Sequence, residues 1–317
     1  MKILVIRFSS IGDIILTSPI VRCIKLQKQA EVHFLVKKEF REILNESPFI
    51  DKIHTYHNNL FELIKELKQH QFDLVIDLHN NLRSKIICFS LVKPYFSVKK
   101  ENIKRLILIN FGYNYLKKNV VEKYFDTITN LSVKNDDKGL DYFIKNTTKV
   151  EFNLSQKYIA WSLGARYHQK KLNIHQILST IKSIDVPIVF LGGKSERKMG
   201  DMLIKKSQQS NRYNFCGKLT LDQSAMIVKN ANVLLTNDSA LMHIGCAFNT
   251  SIISFWGCTK PTLGFAPYNN KSLTIELISN VTKYPCSKHG SYCKVSEEGC
   301  IKEIDAKLIE ENIIKMI

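Results

Sequence analysis

Short unbroken apolar runs alternate along the chain with segments in which apolar residues return every three or four positions. Residues 3–6 form the first run, 14–28 have helical spacing, 31–36 are strand-like and 38–45 are again helical. A helical stretch at 61–69 leads into a strand at 73–76. Unbroken apolar strands separated by helices predict parallel sheets covered on both faces. The rhythm restarts with strands at 158–163, 187–191, 233–235 and 251–255 and helices at 174–183, 195–207 and 239–248. A capping box, Thr220-Leu-Asp-Gln223, opens a further helix that runs to about residue 230. The polar stretch 134–149 separates the two halves. The pattern predicts two doubly wound α/β domains, 1–150 and 151–305, facing across a cleft, with ligands at the carboxyl ends of the strands. A last helix at 306–316 could pack on either domain, the first included.

Composition narrows the class. With 44% hydrophobic and 24% charged residues, the chain is an ordinary globular one, not a disordered tail or a collagen-like rod. No apolar run approaches the roughly 18 residues of a spanning helix. The opening run is broken by Arg7 and followed by Asp13, unlike a signal peptide, so a cytoplasmic location is expected. The 46 Lys and Arg against 29 Asp and Glu leave +17, which favours polyanions: nucleic acid, an anionic membrane face or phosphorylated substrates. The Lys, Ile and Asn bias of the chain can account for such a charge without any binding role.

Four segments can carry chemistry. The first strand exits into Arg7-Phe-Ser-Ser-Ile-Gly-Asp13. It has neither G-x-G-x-x-G nor a Walker loop, so the dinucleotide fingerprint is absent. Asp13, beside Gly12 and after Ser10, either caps a helix or presents a carboxylate able to take a proton. In Leu235-Thr-Asn-Asp-Ser-Ala-Leu-Met-His243, a strand ends and a helix begins near Ser239. The N–H groups of Ser239, Ala240 and Leu241 at that helix start suit a phosphate. Asp238 could cap the helix or accept from sugar hydroxyls, and His243 within it is either a packed core residue or a ligand contact. Arg166, Lys170 and Lys171 form a basic loop after a strand, suited to phosphates or simply to solvent. Gly192 and Gly193, also after a strand, allow close backbone approach to a ligand.

Taken together, these segments resemble glycosyltransferase family 9, the ADP-heptose:lipopolysaccharide heptosyltransferases. The resemblance is carried by Ile3-Leu-Val-Ile-Arg-Phe-Ser-Ser-Ile-Gly-Asp13 through Pro19, Phe72-Asp-Leu-Val-Ile-Asp-Leu-His-Asn-Asn-Leu-Arg-Ser84, Gly164-Ala with Lys170-Lys-Leu, Leu191-Gly-Gly, Thr236 to His243, and Gly257-Cys-Thr-Lys-Pro261. It implies a GT-B architecture, two Rossmann-like domains with an acceptor side and a nucleotide-sugar side. It places the catalytic base on Asp13, the phosphate-binding lysine on Lys170, the sugar-binding aspartate on Asp238 and the ribose-contacting glutamate on Glu196. Ser239 and Ala240 match the pyrophosphate cradle. Ser10, Gly12, Arg83, Lys104 and Arg105 fall on the acceptor side. The chain departs from the family where Ala240 and Asn80 stand for Gly, and where Lys171-Leu-Asn173 replaces Arg-Trp-Pro.

The implied reaction is an inverting transfer of a sugar, heptose by resemblance, from a nucleotide-diphosphate donor to a lipopolysaccharide-type acceptor. No cofactor is expected, and the donor half shows no Asp-x-Asp after a strand to hold a metal. The basic pairs Lys99-Lys100, Lys104-Arg105 and Lys117-Lys118 flank an apolar stretch at 106–109 in the middle of the first domain. They form either a solvated helix face or a contact with a phosphorylated lipid or the anionic inner leaflet. That would make the protein peripheral at the inner membrane. Five cysteines, Cys23, Cys88, Cys216, Cys246 and Cys258, read as small buried hydrophobes. Cys286, Cys293 and Cys300, with His289 between them, are six residues apart, a spacing that fits structural zinc poorly. Two other classes are weighed: a basic nucleic-acid-binding protein, which lacks a recognisable motif, and a nicotinamide-dependent enzyme, which lacks its glycine fingerprint.

Overall fold

The computed structural model describes residues 1–269 and 271–317. Two compact units emerge: Met1–Glu101 with Lys118–Phe143, and Asn102–Lys117 with Ile144–Ile317.

The first unit is built on a parallel sheet of β1 (Lys2–Ile6), β2 (Glu31–Lys37), β3 (Lys52–Tyr56), β4 (Leu74–Asp77) and β5 (Tyr95–Ser97), in the order β3-β2-β1-β4-β5. Its helices begin with α1 (Ile11–Ile15), α2 (Ser18–Lys28), α3 (Leu60–Lys68) and α4 (Leu82–Leu91). Leu4, Ile6, Leu35 and Val75 from the sheet pack against Leu63, Leu67, Ile87 and Cys88 from the helices. β1 is fully buried from Ile3 to Ile6, as its unbroken apolar run requires. The helix expected over 14–28 is split, because the Thr17 hydroxyl donates to the Ile14 carbonyl at 2.7 Å and Pro19, without an N–H, opens α2. The stretch expected as helix at 38–45 is a tighter 3-10 segment, Lys38–Leu44.

The chain then makes an excursion. Helix α5 (Asn102–Phe111) belongs to the second unit, and α6 (Val120–Thr127) returns to the first. Leu108 and Leu116 pack on Leu263 and Phe265, and the Arg105 guanidinium lies 5.8 Å from the Phe265 ring centre. The basic segment around Lys104 and Arg105, read from sequence as the middle of the first domain, is therefore part of the second. Its apolar face at Leu108 and Leu116 finds its partner there.

The second unit carries a six-stranded parallel sheet: β6 (Ile159–Ser162), β7 (Ile188–Leu191), β8 (Arg212–Asn214), β9 (Val233–Asn237), β10 (Ser251–Trp256) and β11 (Thr274–Ile278), in the order β11-β10-β9-β6-β7-β8. Helices α7 (Ile174–Ile181), α8 (Arg197–Ser207), α9 (Leu221–Asn230), α10 (Ala240–Phe248) and α11 (Ala306–Ile314) complete it. The capping box at Thr220 and Gln223 forms as expected. Trp161, Phe190 and Phe255 in the sheet meet Ile177, Ile181, Ile309 and Ile313 in one core. The final helix thus belongs to the second unit, where Gln176 donates to the Ile304 carbonyl at 2.8 Å just before α11 and Ser183 bonds Glu310. The option that it returns to the first domain does not hold.

Both sheets have the doubly wound order of a Rossmann-like α/β fold. In each, the first strand has later strands on either side, so the order reverses between β1 and β4 and between β6 and β9. The crevice at such a reversal is where doubly wound sheets take ligands.

Candidate active site

In the first unit the carboxyl end of β1 delivers Arg7, Ser10, Gly12 and Asp13. Asp13 lies in the first turn of α1, and its Oδ1 is 2.7 Å from Arg7 Nη2. Its Oδ2 accepts from the Ser10 hydroxyl at 2.8 Å and from the Ser10 N–H at 3.2 Å. The capping reading of Asp13 holds, since it closes a capping box with Ser10, and 22% of its side chain stays exposed. Burial pushes its carboxyl up, but the Arg7 charge and the Ser10 hydrogen bonds outweigh this and hold it below the usual carboxylate range. Arg7 also donates to the Leu78 carbonyl at 2.6 Å, which ties the end of β1 to the end of β4 across the reversal.

β4 ends in Asp77, whose Oδ1 accepts from the N–H groups of His79 (2.9 Å) and Asn80 (2.7 Å) and whose Oδ2 accepts from the Ser84 hydroxyl (2.7 Å). This carboxylate shapes the loop. Asn80 sits at φ +48°, the left-handed region that favours Gly and tolerates Asn, which accounts for the departure noted there. His79 packs edge-on to Phe8, and burial together with the Arg7 charge lowers it to about 4. Arg83 is exposed and lies 5.7 Å from the Tyr56 ring centre.

In the second unit the same reversal gathers the residues expected to hold the donor. Asn237, at the end of β9, donates to the carbonyls of Leu163 (3.2 Å) and Gly164 (3.4 Å) at the end of β6. Lys170 Nζ donates to Asp238 Oδ2 at 2.5 Å, and Thr259 donates to the same oxygen at 3.0 Å. Lys170 is buried, so its charge faces one anion with little water to screen it. α10 starts at Ala240 with Ser239 extended before it, and no side chain caps it; the Ser239 hydroxyl instead pairs with Thr236 at 3.1 Å. Ala240 keeps an ordinary helical backbone, so its methyl group imposes no strain. Leu241 and His243 are buried inside α10, His243 as the packed-core alternative has it.

Glu196 is buried and saturated on one oxygen. Its Oε1 accepts from Lys171 at 2.6 Å and Ser195 at 2.8 Å, and its Oε2 accepts from the Gly193 N–H at 2.9 Å. Burial raises it, but Lys171 and Ser195 outweigh that and hold it below the usual range. Gly192 makes room for this side chain, since a Cβ there would fall 2.8 Å from the Cβ of Glu196. The space these glycines open is occupied in part by Glu196 itself. Arg166 is exposed and stacks over Tyr167 at 5.5 Å.

Sequence reasoning did not find Arg7 as the partner of Asp13, or Asn237 and Thr259 as the supports of the second site. All three lie within the quoted segments, but nothing in spacing marks them. It also counted Cys258 with the scattered cysteines. In the structure Cys258 joins Cys286, Cys293 and Cys300, all four sulfurs lying within 4.8 Å of one another, and His289 is not among them.

The profile of glycosyltransferase family 9 (heptosyltransferase) matches residues 60–295. This chain belongs to that family. It is a glycosyltransferase, and neither of the other two classes weighed from sequence finds support. The match begins downstream of Asp13, but wider likenesses include it. The lipopolysaccharide heptosyltransferase 1 of Campylobacter coli is 26% identical, over 100% of this chain and 98% of its own. The glycosyltransferase family 9 structure from Veillonella parvula superposes with a TM-score of 0.82 at 18% identity, over 99% of this chain and 96% of its own. The Escherichia coli heptosyltransferase WaaC with ADP gives 0.72 at 13%, over all of both chains.

Proposed function

We propose that this family 9 enzyme transfers a heptose, with inversion, from an ADP-linked donor to a sugar of a lipopolysaccharide-type acceptor. The observation that carries the reading is that each unit gathers its charged groups at the strand reversal of its own sheet. The first presents an ionised carboxylate there, and the second a buried lysine beside an uncapped helix start. The nucleotide follows the WaaC structure with ADP, and the acceptor follows the names of the relatives.

In this mechanism Asp13 takes the proton of the acceptor hydroxyl as its oxygen attacks the anomeric carbon. The bond from that carbon to the diphosphate oxygen breaks, and the electron pair leaves with ADP. Lys170 keeps one of its three N–H donors on Asp238 and turns the others to the diphosphate, and Arg166 and the start of α10 add to it. Glu196 spends three of its roughly four acceptor positions within the protein and gives the last to a ribose hydroxyl. Asp13→Asn should lower turnover roughly 10²–10⁴-fold while ADP binding stays within twofold or so. Near-normal turnover in that variant removes Asp13 from the role.

The enzyme works at the cytoplasmic face of the inner membrane in this reading. Among the described residues no helix is long and apolar enough to cross a membrane. α5 and the turn after it instead expose Ile103, Leu106, Phe111, Tyr113 and Tyr115 among Lys104 and Lys117. Apolar and aromatic side chains interleaved with lysines suit an anionic interface, at about 1 kcal/mol per basic residue. Vesicle binding should rise with the fraction of anionic lipid and fall in Ile103→Asp/Phe111→Asp. Binding indifferent to lipid charge contradicts the membrane assignment and leaves the transfer reaction untouched.

A further inference from the structure

We propose that Cys258, Cys286, Cys293 and Cys300 hold one zinc ion in a closed tetrahedral site, and that this site braces Lys170 and Asp238. The second clause rests on the donor-site reading above; the first does not.

The geometry of the sulfurs comes first. Cys258 and Cys300 are 3.8 Å apart, as are Cys286 and Cys293, and all four sulfurs lie within 4.8 Å of one another. A zinc–sulfur bond of about 2.3 Å gives a tetrahedron whose sulfur–sulfur edges are about 3.8 Å. Two disulfides would need only two close pairs, with no reason for the pairs to converge. Four protein thiolates complete the coordination sphere, which makes the site structural and leaves no position for substrate.

The surroundings suit thiolates. The Val295 N–H donates to Cys293 Sγ at 3.4 Å, the Lys294 N–H to Cys286 and the Cys300 N–H to Cys258. Such donors orient metal-bound sulfur and disperse its charge. Zinc with four thiolates carries a net charge of −2, and a lysine, Lys260, is buried two residues along the chain from Cys258. The stretch from Ser279 to Asp305 contains only the 3-10 turn Cys300–Glu303 as regular structure, so it has few backbone ladders to hold its shape. A metal centre is a common means of fixing such a segment.

The segment leads directly to the candidate donor site. Thr259, next to Cys258, holds Asp238. Gly290, between Cys286 and Cys293, lies so close to the Lys170 stem that a Cβ would fall 2.5 Å from its Cγ and Cδ. Gly299, next to Cys300, presses on the Gln169 backbone, and His168 Nε2 meets the Glu297 carbonyl at 3.0 Å. Both members of the Lys170–Asp238 pair thus rest on chain that the cysteines tie together.

The test uses the full-length protein purified under reductant without added metal. Elemental analysis should find one zinc per chain. Cys286→Ser and Cys300→Ser should lose it, and Cys216→Ser, a buried cysteine elsewhere, should keep it. Cobalt exchange into the wild-type protein should give sulfur-to-cobalt charge-transfer bands and tetrahedral d–d bands, a readout that does not depend on any variant folding. Removal of zinc should weaken ADP binding roughly tenfold, the loss of one hydrogen bond to a charged group, with recovery on zinc return. Metal-free protein that takes up neither zinc nor cobalt, two disulfides by mass spectrometry, or iron in place of zinc each overturns the zinc site. Zinc present but without effect on ADP affinity overturns the bracing. If ADP does not bind to the zinc-loaded protein at all, the donor-site reading fails while the metal site stands.

Discussion

Arg7 sets the acidity of Asp13, and this is open to measurement. Replacing Arg7 with Gln removes the nearest positive charge, so the Asp13 carboxyl should rise toward and above the ordinary range. The acid limb of the kcat/KM–pH profile should then move to higher pH, and an unmoved limb would show that Asp13 is not the group it reports. A second residue-scale prediction concerns the buried histidines of β2 and β3. His33 Nδ1 and His54 Nε2 share a proton at 2.9 Å, with Glu31 and Glu66 on the outer nitrogens and the His70 ring edge-on to both. Burial lowers His54 to about 4, with His33 and His70 adding to the effect and Glu66 opposing it. The folded state then binds fewer protons than the unfolded one, so stability falls as pH drops from about 6.5 toward 4, by on the order of 3 kcal/mol at most. Urea midpoints at pH 7 and pH 5 check this, and His54→Gln should flatten the difference. At this scale the sequence named Asp13, Lys170, Glu196 and Asp238 because a family motif marks them. It could not name their partners, because Arg7, Thr259 and Lys171 reach them only through the fold.

Among the elements, those with a clear apolar run or period were legible, whereas α4, α6 and β11 went unread along with the shortest strands. α9 formed where its capping box and apolar spacing placed it, β1, β6 and β7 formed at their apolar runs, and β2 formed where the chain is strand-like. β5 and β8, three residues each, carry too little pattern to be seen. β3 reads Lys-Ile-His-Thr-Tyr, and its buried His54 hides the apolar face behind a polar residue type. The helix over 14–28 failed at Thr17, where a side chain competes for a backbone carbonyl, and no apolar period reports that. Element ends also carry a testable close approach. Gly257 follows β10 so tightly against Ile301 that a Cβ would lie 2.6 Å from its backbone nitrogen. Gly257→Ala should cost roughly 1–3 kcal/mol or more, read as a lowered Tm, because backbone cannot yield as a side-chain tip does.

For the molecule as a whole, the alternation of strands and helices announced two doubly wound units, and both sheets are parallel in the order that implies. What the linear pattern could not announce is that residues 102–117 leave one unit and join the other. Periodicity shows that α5 has an apolar face, but not that Leu263 and Phe265, some 150 positions later in the chain, cover it. The excess of positive charge carries its own whole-molecule expectation. Vesicle association through the lysines around α5 should weaken steeply between low and physiological salt, whereas ADP binding at the buried Lys170 should change far less. The wandering of α5 also limits how the enzyme can be recombined. A chimera that exchanges everything after residue 150 with a relative would seat a foreign apolar pocket under a native helix. Hybrids of this family should therefore express well only when residues 102–117 travel with the half that shelters them, making three splices the natural unit of exchange where one looks sufficient.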